Sequence, residues 1–261
     1  MSDTIILEAR NLSKHFGGLH AVDGVSLQVR AGAFHSVIGP NGAGKTTLFN
    51  LLSGVFHPTG GQILFRGREI TRLPAFRRSQ LGIGRSFQIT NIFPNLTVLE
   101  NVRIAAQSRG HDSLRLLRDH RHFTRYIERA HEVLALVGLA DKAPMLAASL
   151  PHGDKRKLEI GILLATEPEI LLLDEVLAVG DMDFQKKCYK VINTFKNEGV
   201  TMVYVSHDMD SVKKYCDRTL LLRKGEQVII GDSADVIDKY ESLSPQEENP
   251  AMEGLPCIPR V

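Results

Sequence analysis

The run Gly39-Pro40-Asn41-Gly42-Ala43-Gly44-Lys45-Thr46 restricts this chain more than any other. It satisfies the pattern G-x-x-x-x-G-K-[ST]. It also lies where the pattern has meaning, between the apolar stretch Phe34 to Ile38, which reads as a strand, and Lys45 to Leu52, which reads as a helix. Glycines let successive backbone N–H groups turn inward around phosphate oxygens. A helix starting near Lys45 adds the positive end of its dipole. Lys45 would reach the β- and γ-phosphates of a nucleotide, and the Thr46 hydroxyl would hold Mg2+. The loop specifies a nucleotide but not a reaction, because GTPases and small-molecule kinases carry it too.

Short apolar runs alternate with helical stretches around this loop, which argues for an α/β core. Val25 to Val29, Ile170 to Leu173, Met202 to Val205 and Thr219 to Leu222 read as strands. Lys155 to Ala165 and Phe184 to Lys196 read as helices. Thr97, with Glu100 three residues on, has the capping-box pattern of a helix start, and the chain reads as helical from there to about Ala148. Arg103, Arg109, Arg115, Arg118, Arg121, Arg125 and Arg129 make that stretch basic. It is either a solvated helix face or a contact for a membrane protein or lipid head groups. From Ser242 the chain carries Pro245, Pro250, Gly254, Pro256 and Pro259 with no apolar period, so a loose tail is expected.

Two acids follow the apolar strand Ile170-Leu171-Leu172-Leu173: Asp174 and Glu175. Asp174 suits a Mg2+ shell. Glu175 would lie near an attacking water and is the candidate general base. His207, just after Met202 to Val205, could contact the γ-phosphate and sense its loss, although a lone histidine is more often structural. Gln88 is placed to coordinate Mg2+ or water.

The whole chain, 261 residues, suits one large domain. Its formal net charge of +2, without a concentrated basic run, does not suggest a nucleic-acid partner. Cys188, Cys216 and Cys257 form no C-x-x-C pair, which fits a reducing, cytosolic setting. No leader is read, and no stretch reaches the roughly 18 apolar residues a membrane helix needs. Work at a membrane would therefore require a partner.

In order and spacing, the phosphate loop, Gln88, the Leu150-to-Asp154 segment, Asp174-Glu175, Asp181 and His207 resemble the nucleotide-binding subunits of ABC transporters over about residues 5 to 240. The resemblance implies an α/β P-loop NTPase core of the RecA-like kind, with an N-terminal antiparallel β element and an inserted α-helical subdomain. The ATPase domain would span 1–241, the helical subdomain about 89–157, and a flexible tail 242–261. It implies ATP and Mg2+ as cofactors and ATP hydrolysis as the reaction, with Glu175, His207 and Gln88 as catalytic residues. Gly39, Pro40, Asn41, Gly42, Ala43, Gly44, Lys45, Thr46 and Thr47 would hold the nucleotide, and Phe16 would stack on adenine. Thr46, Gln88 and Asp174 would hold the metal. The implied partners are integral-membrane permease subunits, a second ATPase subunit in a head-to-tail dimer, and a substrate-binding protein, at the cytoplasmic face of the inner membrane. The usual signature L-S-G-G-Q reads Leu150-Pro151-His152-Gly153-Asp154 here. Pro151 supplies neither hydroxyl nor N–H, Asp154 adds negative charge near a phosphate, and Gly153 remains as a donor to the partner's ATP.

Two subfamily likenesses meet near residue 173. Phe16-Gly17-Gly18-Leu19, Phe87-Gln88, and Phe93 to Val102 resemble branched-chain amino-acid importer ATPases. Asp174 to Asp181, Phe184 to Cys188, and Cys216-Asp217-Arg218 resemble the ATPases of polysaccharide and teichoic-acid exporters. The chain is either a recombinant joined at the acid-bearing strand or a divergent natural member. The importer reading leads, because the docking region expected from Gln88 to about Ala148 lies in the importer-like part. A soluble ABC-type ATPase acting on DNA or ribosomes is the alternative of another class.

Overall fold

The computed structural model describes residues 4–85, 92–108, 124–174, 196, 199–206 and 208–243. Among these residues ten strands form one sheet. In chain order they are β1 (Ile5–Phe16), β2 (Leu19–Arg30), β3 (Phe34–Ile38), β4 (Gly60–Phe65), β5 (Arg68–Glu69), β6 (Ile83–Arg85), β7 (Ile170–Asp174), β8 (Thr201–Val205), β9 (Arg218–Arg223) and β10 (Glu226–Asp232). The α-helices are α1 (Lys45–Ser53), α2 (Ala75–Leu81), α3 (Val98–Gln107), α4 (Thr124–Leu136), α5 (His152–Ala165), α6 (Met209–Tyr215) and α7 (Ser233–Leu243).

Across the sheet the order is β5-β4-β1-β2-β10-β9-β3-β8-β7-β6. Strands β9, β3, β8, β7 and β6 run parallel to one another. Strands β5, β4, β1 and β2 form the expected antiparallel element. Strand β10 joins the two, antiparallel to β9 and parallel to β2.

The parallel strands are apolar on both faces because both faces are covered. Phe34, Ile38, Leu171, Leu173, Met202 and Tyr204 share one hydrophobic cluster with Val98, Val133 and Leu158 of the helices. The alternate residues Val37, Ile170, Leu172, Val203 and Val205 share the other with Leu48, Phe49 and Leu52 of α1 and Val22 of β2. The period of two along each strand thus divides one run of apolar residues between two cores.

The helical part departs from the sequence reading in three places. Thr97 caps α3 by accepting Glu100 N–H at 3.1 Å, but the Glu100 carboxylate turns to Arg103 Nε at 3.0 Å instead of completing the box. Regular helix does not continue to Ala148: α4 stops at Leu136 and Gly138 takes φ 70. Two short 3-10 turns follow at Ala140–Lys142 and Ala147–Ser149, and Val98 N–H donates to Met145 O at 2.9 Å, so this stretch is pinned beside the start of α3. Finally, α5 begins at His152 rather than Lys155: Pro151 is its N-cap, with φ −56 and ψ 156, and the Pro151 carbonyl takes the first helical N–H groups, those of Asp154 and Lys155. At the C-terminal end, Ser242 and Leu243 belong to α7. The expected helix Phe184 to Lys196 falls, except for Lys196, outside the described residues.

Candidate functional site

Strand β3 delivers the chain into the loop. His35 on β3 is buried, and its Nε2 accepts Arg30 N–H at 3.2 Å. Burial, aided by the nearby Arg218, pushes this imidazole down to about 4, so it is a neutral acceptor under ordinary conditions. The loop itself is walled by backbone. Gly39 has φ 146, and a Cβ there would lie 2.2 Å from Leu222 O of β9. Gly44 has φ 101, and its Cβ would lie 2.3 Å from Ala21 O of β2. Both glycines of the pattern are therefore required by close approach as well as by conformation.

Lys45 is 5% exposed, and its Nζ donates to Gly39 O at 2.7 Å and Pro40 O at 2.9 Å. The ammonium sits across the loop, and a phosphate there must share it with these two carbonyls. Gly44 caps α1 without a side chain, and the first turn holds no acidic residue. The N–H groups of Lys45, Thr46 and Thr47 precede the first intrahelical bond, Leu48 N–H to Gly44 O at 2.8 Å, and point out of the helix end. Pro40, Asn41, Gly42 and Thr46 are exposed, while Ala43 is buried. Main-chain donors arranged in this way can hold an anion.

The far end of α1 is fixed by two arginines that the sequence reading missed. Arg78 of α2, fully buried, donates from Nη1 to Leu51 O at 2.7 Å and Leu52 O at 2.9 Å. Its Nη2 donates to Thr71 O at 2.9 Å and its Nε to Leu73 O at 3.0 Å. Desolvation pushes this guanidinium down to about 10, which still leaves it charged at neutral pH. Arg85, ending β6, donates from Nη1 to Asn50 Oδ1 at 2.6 Å and Ser53 Oγ at 2.7 Å.

The parallel register brings the other candidates to the same edge. Val37 pairs with Val205, and Val205 pairs with Asp174. Asp174 thus ends β7 two strands from the base of the phosphate loop, about 10 Å at ordinary strand spacing. Beyond β8, buried Ser206 Oγ accepts Asp208 N–H at 3.0 Å, and the Asp208 carboxylate accepts Ser211 N–H at 3.3 Å to cap α6. His207 lies between these two anchored residues in sequence. His207, Glu175 and Gln88 fall outside the described residues, as do Asp181 and the side chain of Asp174. The strands that lead to them (β8, β7 and β6) all end at the carboxyl edge, where ligands of open α/β sheets bind.

Phe16, 45% exposed, meets Phe56 edge-on with centroids 5.6 Å apart, and Lys14 Nζ stands 5.1 Å from its ring centroid. In the altered signature segment, Asp154 does not present a bare charge. It is buried and paired to both Lys142 and Lys157. Burial raises its pKa, but those two ammonium partners outweigh that and hold it below the usual carboxylate range. Asp154 and Lys155 N–H both donate to Pro151 O, at 3.0 and 2.9 Å, which leaves His152 and Gly153 N–H at the open helix end. Of the basic stretch, Arg103 is buried against Glu100 and Gln107, Arg125 lies over the Tyr126 ring, and Arg129 pairs with Glu132 and Glu167. The other four arginines lie outside the described residues.

Residues 22–178 match the family described as ABC transporter. The chain is 36% identical over 247 residues to the high-affinity branched-chain amino acid transport ATP-binding protein LivG of Salmonella typhimurium, covering 90% of this chain and 97% of that protein. One alignment therefore crosses the point where the two subfamily likenesses meet. The chain is also 34% identical over 248 residues to the Fe(3+) ions import ATP-binding protein FbpC of Brucella abortus, covering 95% of this chain and 67% of that one. The ADP conformation of an ATP-binding cassette of an ABC transporter superposes with TM-score 0.77 at 27% identity, covering 91% and 95% of the two chains. A dimeric bacterial ABC transporter cassette superposes with TM-score 0.75 at 26% identity, covering 87% and 99%.

Proposed function

The chain belongs to the ABC transporter family of ATP-binding cassettes, and on that premise we propose that it powers import of branched-chain amino acids. It is an ATPase. In this reading it works as one of two ATPase subunits beneath integral-membrane permease subunits, fed by a substrate-binding protein, at the cytoplasmic face of the inner membrane. No helix among the described residues is long and apolar enough to cross a membrane, so its attachment would be peripheral. The reading takes 1–241 as the ATPase domain and about 89–157 as the helical subdomain that meets the permease.

The observation that carries the hydrolytic site is the shared carboxyl edge, where β3 leads to the phosphate loop, β7 to Asp174 and Glu175, and β8 to His207. Backbone N–H groups from Gly39 to Thr47 hold the phosphates, Lys45 adds charge, and Phe16 takes the adenine face. Thr46, Gln88 and Asp174 suit Mg2+ because all three offer oxygen, the donor a hard dication takes, and Thr46 is exposed in the first turn of α1. Mg2+ bound there would neutralise charge on the β- and γ-phosphates. Glu175 takes the proton of the attacking water, Gln88 orients that water, and His207 holds the γ-phosphate. Gly153 and the open end of α5 complete the other subunit's ATP site. In support, a Cβ at Gly153 would meet none of the described residues within 4 Å, so their packing does not ask for glycine there.

Glu175→Gln tests the site. It should bind ATP, lose turnover and elute as an ATP-dependent dimer on gel filtration; normal turnover would put the base elsewhere. The substrate reading rests on likeness to LivG across 90% of the chain. With cognate permease subunits and binding protein in liposomes, leucine should stimulate ATP hydrolysis. Stimulation by Fe3+ or by an exported polysaccharide instead would overturn that part alone.

A further inference from the structure

We propose that the β1–β2 hairpin carries a second cation site, built from His15, His20 and Asp23, that takes a transition-metal ion of the Zn2+ kind rather than Mg2+. The proposal is independent of the ATPase reading. Gly17 (φ 59) turns the chain between Phe16 and Leu19, and the resulting register sets His15 directly opposite His20. Cross-strand partners share a face, so the imidazoles stack with centroids 3.8 Å apart and planes inclined by 16°. Asp23, three residues beyond His20, brings its carboxylate to both. Oδ2 lies 3.2 Å from His20 Nδ1, and Oδ1 lies 3.7 Å from His15 Nε2.

Two features favour a ligand over a plain surface cluster. His15 Nε2 is buried and has no hydrogen-bond partner among the described residues, although it faces the carboxylate. An orphaned buried nitrogen is costly, and a metal would satisfy it. The carboxylate is also held from behind, since Ser13 Oγ donates to Asp23 Oδ1 at 3.3 Å and Asp23 N–H donates to Gly225 O at 2.8 Å. An oriented ligand of this kind is what metal sites use.

One ligand atom from each of the three residues lies within 4.8 Å of the others. A tetrahedral ion with bonds of roughly 2.0–2.1 Å needs about 3.3 Å between ligand atoms. Closing the set to that spacing takes at most about 1.5 Å, which His20 can supply because its exposed ring is free to turn out of the stack. Two imidazoles and one carboxylate select Zn2+, Ni2+ or Cu2+ over Mg2+, and the open surface leaves the fourth position to water.

The test is titration of untagged, nucleotide-free protein with Zn2+ by calorimetry, and with Co2+ followed by visible absorbance. One equivalent should bind, with a Co2+ band typical of nitrogen and oxygen ligands. His15→Ala, His20→Asn and Asp23→Asn should each weaken binding at least about tenfold while circular dichroism stays native. His20 is exposed, so its variant keeps the test valid if His15→Ala disturbs the strand. Absence of saturable binding to the wild type, or equal affinity in His20→Asn and Asp23→Asn, would overturn the proposal. The cysteines are unchanged in every variant, so binding to them cannot imitate the expected loss.

Discussion

Arg78→Met should unfold the anchor of the phosphate-binding helix. Arg78 is fully buried, and no carboxylate among the described residues pairs with it. Its four hydrogen bonds all go to carbonyls, two of them at the C-terminal end of α1. Depression of its pKa from 12.5 to about 10 by desolvation corresponds to about 3 kcal/mol against the charged form. Four bonds from a charged donor contribute about 1.5–3 kcal/mol each, at least about 6 kcal/mol together. Truncation to methionine removes both sides of that balance, so the net loss is about 3 kcal/mol or more. It also removes the side-chain donor from Leu52 O and leaves Leu51 O with Gly54 N–H at 3.2 Å, at the buried end of a helix whose other end bears Lys45. Arg78→Lys should recover only part, because one ammonium cannot reach both the Leu51–Leu52 pair and the Thr71 and Leu73 carbonyls. Urea denaturation of the three proteins measures this, with ATP affinity as the functional readout. A methionine variant within about 0.5 kcal/mol of wild type would refute the reasoning.

Other outcomes follow from the same geometry. His35 titrates at about 4 when folded against 6.5 as its ordinary value. The unfolded chain therefore takes up its proton first, and stability falls as pH drops below about 6.5, by about 2 kcal/mol between pH 7 and pH 5; a His35→Gln protein with an equally steep loss would show that another group is responsible. Gly44→Ala puts a Cβ 2.3 Å from Ala21 O and should lower ATP affinity at least about tenfold along with the melting temperature, since the obstacle is backbone and φ is positive; native ATP affinity by equilibrium dialysis would contradict this. Gly153→Asp meets open space among the described residues, so it should leave the melting temperature within about 1 °C, as expected for a surface change, while abolishing most ATPase turnover. If turnover survived, the segment would not serve the opposite ATP.

What could be read in advance was local. Strand β3, the phosphate loop and the start of α1 follow from a contiguous pattern whose glycines and apolar run leave few alternatives. The Thr97 cap and the strands at Ile170 and Thr201 were legible for the same reason. Contacts that join distant residues were not. Asp154 looked like an added charge because nothing nearby in sequence marks Lys142 as its partner. Arg78 carries no sequence signal, because its role depends on α2 packing on the end of α1. The helix start at His152 was not legible because the altered signature reads as a loop segment before the helix at Lys155, whereas the Pro151 carbonyl already takes the first helical N–H groups. Gly39 and Gly44 were assigned to the phosphate, and their second reason, the backbone of Leu222 and Ala21 against them, depends on sheet order.

That second reason bears on when the site comes into being during synthesis. Strand β3 leaves the ribosome well before its neighbours in the sheet, β8 and β9, which lie more than 160 residues later by the pairing of His35 with Val203 and Arg218. The wall against Gly39 is Leu222, and Gly225 N–H holds Ala43 O at 3.0 Å. A nascent chain that already contains the whole phosphate-loop sequence therefore has no structure to hold it open. Long-range parallel pairing is slow to form, so nucleotide binding must wait until β8 and β9 have been made, and a chain interrupted before them is an ATP-blind one.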